Sequence, residues 1–114
     1  MPKETSEAYS GNTIRLTFRT FTWDDIQASA DSIRVSVYKV EEKQLVAIPA
    51  VQNHPVDGTK FKETAAGEYR FFLDTQTLSA GQYHIIFEGE IGGSGFYEPV
   101  PLTLKTLKSE VSGR

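Results

Sequence analysis

One phrase occurs twice in this chain, and it constrains the fold more than any other feature. Ala66-Gly67-Glu68-Tyr69-Arg70-Phe71-Phe72-Leu73 is followed fourteen residues later by Ala80-Gly81-Gln82-Tyr83-His84-Ile85-Ile86-Phe87. Both copies read Ala-Gly-polar-Tyr, then polar and three apolar residues. Glycine reaches backbone angles closed to other residues, so each copy opens with an abrupt turn. Alternate residues of the extended chain that follows share one face. Tyr69, Phe71 and Leu73 form the apolar face of the first copy, and Tyr83, Ile85 and Phe87 that of the second. Gln82, His84 and Glu88 fall on the other side. Two strands entered from glycine turns, facing one core from opposite sheets, need the same phrase. The repeat is architectural and requires no ligand.

The same period of two recurs along the chain. Ile14, Leu16 and Phe18 alternate with Thr13, Arg15 and Thr17, and Ile33, Val35 and Val37 alternate with Arg34 and Ser36. Strands are predicted over 12–18, 32–39, 44–48, 59–63, 68–74, 82–90 and 96–105, with hairpin tips at 41–43 and 92–95. Pro49, Pro55 and the Asp57-Gly58 pair make 49–59 a loop or edge strand. Residues 23–30 (WDDIQASA) hold at most one helical turn, being short and polar. Seven or eight short strands with turn signals at close intervals describe an all-β antiparallel sandwich.

At 114 residues the chain is one domain, large enough to bury a core without covalent staples. The strands place that domain at 12–106, between polar tails at 1–11 and 107–114. There is no cysteine, which removes disulfides, thiolate metal sites and cysteine nucleophiles. Residues 1–11 lack the apolar stretch of a secretory signal, and no run approaches the length of a membrane span. The formal charge is −3, and in chain order the lysines and arginines form no run interleaved with aromatics. Nucleic acid and membrane insertion are therefore not expected of it.

In the second copy, Leu78-Ser79-Ala80-Gly81-Gln82-Tyr83 resembles the tyrosine corner of immunoglobulin-like domains, with 74–77 as the crossover, Leu78 as its plug and Tyr83 reaching the corner's backbone. The whole run from Gly67 to Gly89 is similar to the second half of such sandwich modules in bacteriophage virion proteins and bacterial surface proteins, and the segments 16–21 and 31–38 are similar to their opening strands. The resemblance spans about residues 12–105. It implies a single immunoglobulin-like β-sandwich of the disulfide-free kind, with a role in binding, display or assembly and with no catalytic residues to carry over. The structural corner residues are Gly67, Tyr69, Leu78, Gly81 and Tyr83.

No residue set supports catalysis. His54 and His84 lack metal-ligand spacing and read as solvent-facing, and Asp24, Asp25 and Asp31 lack the spacing of a calcium loop. Ser79, Ser94 and Thr103 have no nucleophile context, and Gly92-Gly93-Ser94-Gly95 is not followed by the lysine of a phosphate loop. No cofactor, metal or catalytic residue is expected. The aromatics that fit the inward register poorly, Trp23, Tyr38, Phe72, Phe96 and Tyr97, are the candidate interaction surface. The expectation is a non-catalytic structural subunit of a larger assembly, most of all a bacteriophage virion component at the head surface, neck or tail. Its partners would be other protein subunits or copies of itself. The alternative is a carbohydrate- or cell-surface-binding module, with a glycan as ligand.

Overall fold

The structure is a computed structural model that describes residues 6–9 and 13–105. Alternating residues in seven segments and two short pairings give nine strands: β1 (Ser6–Tyr9), β2 (Thr13–Arg19), β3 (Ser32–Glu41), β4 (Gln44–Ala47), β5 (His54–Pro55), β6 (Phe61–Ala65), β7 (Glu68–Asp74), β8 (Gly81–Ile91) and β9 (Ser94–Lys105). The larger sheet runs in the order β1-β9-β8-β3-β4, with β5 on the β4 side of β3, and the smaller in the order β2-β7-β6. All pairings are antiparallel except β1 with β9. The chain changes sheet after β1, β2, β5 and β7, so the two copies of the phrase lie in opposite sheets. The result is an all-β sandwich of two packed sheets.

The core follows the predicted parity. Tyr69, Phe71 and Leu73 face Val35, Val37, Tyr83, Ile85 and Phe87 across the sandwich, and all are buried. Phe61 adds an edge-on ring against Phe71 at 5.7 Å, and Phe18 stacks on Phe87 at 4.5 Å. Such ring pairs contribute about 0.5–1.5 kcal/mol beyond their burial. At Gly89 the strands β3 and β8 come so close that a Cβ would lie 2.0 Å from the Ser32 carbonyl oxygen.

Four boundaries differ from the sequence expectation. Ser6–Tyr9, inside the segment expected as a polar tail, forms a strand parallel to β9 from Ser6↔Leu102 to Tyr9↔Lys105. Main-chain pairing to a sheet edge holds it, and that leaves no apolar period in the sequence. The rest of that tail, and all of 107–114, lie outside the described residues. The β8–β9 connection is a two-residue turn, Gly92-Gly93, with φ of 59° and 83°. Two consecutive left-handed residues match the twist of the strands they join, so the pairing extends to Ile91↔Ser94. Glu42-Lys43 makes the same kind of turn without glycine, at φ of 52° and 68°. The strand expected at 59–63 begins at Phe61, because Asp57 first folds its carboxylate back onto the amides of Thr59 and Phe61 at 2.8 and 3.1 Å.

Candidate functional site

The structure scatters the five candidate aromatics. Phe96 is no surface anchor: it lies half-buried against the core with its ring 5.9 Å from that of Phe18. Phe72 sits on the outer face of the small sheet, half-buried with the Lys62 ammonium 5.8 Å from its ring centre. Tyr38 and Tyr97 share the outer face of the large sheet, opposite His84 and Glu88 of β8. Four strand residues separate those two partners, roughly 13 Å. Trp23 stands at the β2–β3 connection, 90% exposed.

Trp23 has company that the sequence reading passed over. Phe21 is 48% exposed and Ile26 is 60% exposed, so three large apolar side chains leave one connection for solvent. The connection is not a helical turn. Phe21 bridges Gln27 antiparallel, Thr22 and Ile26 pair main chain to main chain at 2.9 Å, and Asp25 takes φ 66° at the tip. The Thr22 hydroxyl accepts from the Ile26 amide, and the Thr20 hydroxyl donates to the Ala28 carbonyl at 2.6 Å. This miniature hairpin is also tied outward: the Gln27 amide group donates to Ala66 and the Thr20 amide to Gly67. A sequence signal existed, since apolar residues at 21, 23 and 26 around Asp24-Asp25 suit a tight turn that cannot turn every side chain inward.

The β6–β7 turn serves as the platform for this loop. A Cβ at Gly67 would lie 2.7 Å from the Ala28 nitrogen and 2.8 Å from its oxygen, and Gly67 has φ 79°. The Tyr69 hydroxyl accepts from the Ala30 amide at 2.8 Å. Glu63 accepts from the Ser29 hydroxyl and from the Gly67 amide, and it hydrogen-bonds the Tyr69 hydroxyl. The Ser29 and Gly67 donors hold the Glu63 carboxyl below the usual carboxylate range. Burial first, and then the Glu63 charge, push the Tyr69 hydroxyl up. On the other side, Asp31 accepts from the Gly92 amide at 2.9 Å, joining this loop to the β8–β9 turn.

Beside the loop, between β2 and β9, the sandwich is open along its seam. Phe18, Phe21, Ile91, Phe96 and Val100 line a groove of about 440 Å³, with Arg19 and Glu98 at its rim.

In the second copy the Tyr83 hydroxyl donates to the Ser79 carbonyl at 2.6 Å, with Leu78 buried beneath the crossover. The histidines are not simply solvent-facing. His54 Nε2 lies 2.9 Å from Asp57 Oδ2, half-buried near the Phe71 ring, and His84 is half-buried on its sheet. Hydrogen bonds from the Thr59 and Phe61 amides, in that order, hold the Asp57 carboxyl far below its ordinary value. Among the described residues, no three histidine, aspartate or glutamate side chains gather as metal ligands do, and no helix is long and apolar enough to cross a membrane.

No protein-family model matches the chain, and no curated protein matches it. Among solved structures the chain is similar to part of an endo-beta-1,4-mannanase from Thermotoga petrophila, with a TM-score of 0.57 and 14% identity. The match covers 91% of this chain and 18% of that one, so this chain spans under a fifth of its neighbour. At that identity the likeness is one of fold alone.

Proposed function

We propose that this protein is a non-catalytic interaction subunit that docks into a larger assembly through its loop end. The observation that carries the reading is the braced hairpin at 21–27, which holds Phe21, Trp23 and Ile26 in solvent. Exposed apolar side chains on a mobile loop would lose conformational freedom on binding. Here the main-chain ladder and the Gln27 and Thr20 ties have already removed much of it, and a preorganised anchor binds more tightly for the same contact. A bacteriophage virion is the assembly suggested by the sequence resemblance. Sedimentation of a source lysate through a density gradient tests membership: the chain should travel with large particles and resist a salt wash. Trp23→Ala with Ile26→Ser should release it into the light fractions while leaving the unfolding temperature unchanged. Particles that keep the double variant remove the loop as the docking element.

A second reading has its own observation. A tryptophan with 90% of its surface free is a ready stacking platform for a sugar ring, and the neighbour of similar fold is part of a polysaccharide-degrading enzyme. Saturable quenching of Trp23 fluorescence by a soluble glycan would favour this reading, and silence across a diverse glycan panel would remove it.

A further inference from the structure

The sandwich has four sheet edges, and three of them are blunted against further pairing. At the β1 side of the larger sheet the outer strand β1 is four residues long and covers β9 at 102–105, and beyond it Pro99 and Pro101 remove amide donors from that side of β9. β6 is five residues long with a bulge between Glu63 and Ala65. β4 is four residues long. These are the devices by which sheet proteins suppress edge-to-edge association. β2 has none of them. It runs for seven residues without proline, glycine or bulge, it pairs with β7 in full register, and among the described residues no strand lies on its other side.

Both flanks of that edge have a defined chemistry. Inward, Ile14, Leu16 and Phe18 pack on the core, and the apolar groove along the seam begins at Phe18. Outward, Arg15 and Arg19 are exposed on β2, followed across the sheet by Arg70 on β7 and Lys62 on β6. These cations are scattered in chain order, and the strand pairing alone gathers them, Thr17↔Arg70↔Lys62 in one row. Arg19 is paired with Glu68 at 3.1 Å, whereas Arg15, Arg70 and Lys62 make no ion pair among the described residues. The Arg70 Nε is buried without a hydrogen-bond partner. Glu68 and Asp74 share this face, so four cations against two carboxylates leave it net positive on a chain of net charge −3.

We propose that the free edge of β2 takes up an extended strand of a partner protein in which apolar residues alternate with acidic ones. The partner's main chain completes the hydrogen bonds of β2. Its apolar side chains close the seam over Phe18, and its carboxylates meet Arg15 and Arg19 across the new ladder, two strand repeats or about 13 Å apart. Nucleic acid fits less well: the one aromatic on this face among the described residues, Phe72, is half-buried beside Lys62 and offers no stacking platform.

The test uses the full chain labelled for amide NMR and two seven-residue peptides, one alternating valine with glutamate and one alternating valine with lysine. The valine–glutamate peptide should bind saturably, perturb the amides of β2 and slow their exchange. It should bind about tenfold more tightly than the lysine peptide, from two cross-strand charge pairs turned from repulsive to attractive. Arg15→Glu with Arg19→Glu should reverse the preference, and an unchanged unfolding temperature shows that the fold survives. Equal affinity for the two peptides, perturbations away from β2, no binding, or tighter binding of a DNA duplex would each overturn the proposal. The Trp23 and Ile26 substitutions do not touch this edge, so failure here leaves the loop reading standing, and the reverse.

Discussion

The two copies of the Ala-Gly-polar-Tyr phrase differ in how far each one reaches. In the second copy the corner closes on itself: the Tyr83 hydroxyl bonds Ser79, four residues back, Leu78 fills the base of the same crossover, and the remote Lys39 reaches Ser79 only with the end of its side chain. In the first copy the partners are remote: Tyr69 bonds Ala30 and Gly67 receives the Thr20 amide, spans of 39 and 47 residues by their numbering. One phrase closes a local corner, and the other binds a distant loop to its sheet. Local sequence specifies where a chain bends and which face a side chain takes, while topology decides what that side chain meets.

That contrast is open to breaking at both glycines. Gly67→Ala should have the largest effect, because a left-handed φ coincides with a backbone obstacle at 2.7 Å that cannot swing aside. We expect a loss of about 3 kcal/mol or more, from strain at φ > 0 plus displacement of packed backbone, read by denaturant unfolding. Gly81→Ala meets only the Lys39 side chain, at 3.2 Å, so with φ 148° it should cost about 1 kcal/mol. Equal losses at the two positions would erase the distinction. Leu78→Ala should cost about 2–3 kcal/mol, as for a buried leucine at the rim of a core, without disturbing amide exchange in 20–30.

The hydroxyls sharpen the comparison. Tyr69→Phe strands the Ala30 amide and removes a hydrogen bond from the Glu63 carboxylate, a loss of about 1–3 kcal/mol, with faster exchange at Ala30. Tyr83→Phe removes one bond to one carbonyl, about 1 kcal/mol, and its effects should stay within 78–83. The smallest effect is one of pH. A carboxyl held below its ordinary value contributes stability that is present above the unfolded carboxylate range and is lost as pH falls through the folded value. Glu63 should therefore loosen the loop platform in acid, and Glu63→Gln should flatten that part of the acid limb of the stability curve. Asp57 has the same sign, and Asp57→Asn separates the two contributions.

Strand parity was legible in the sequence almost throughout. Tyr69, Phe71, Tyr83, Ile85 and Phe87 face inward because a period of two leaves no other choice once one face is apolar. The strand at Ser6–Tyr9 was not legible, since an edge pairing made by main chain leaves no pattern in side chains. The anchors were half legible. Trp23 declared itself by having no register to join, whereas Phe96 misled: it shares the parity of the buried Leu102 and Leu104 and lies on the inner face. The cationic face was invisible for a different reason: Arg15, Lys62 and Arg70 become neighbours only when β2, β7 and β6 are set side by side.

The close approach at Gly89 bears on how this domain can diverge. A methyl group there would sit 2.0 Å from the Ser32 oxygen, on the strand that follows directly from the Asp31–Glu90 main-chain bond at the root of the loop. At Gly92 and Gly93 a methyl would meet nothing within 4 Å. Side chains can thus be added at the outermost turn, where the demand is a left-handed backbone. A drift of a single atom three residues earlier would push β3 away from β8 and re-aim the whole loop. The loop end of the molecule sets a permissive tip three residues from a position that admits only glycine.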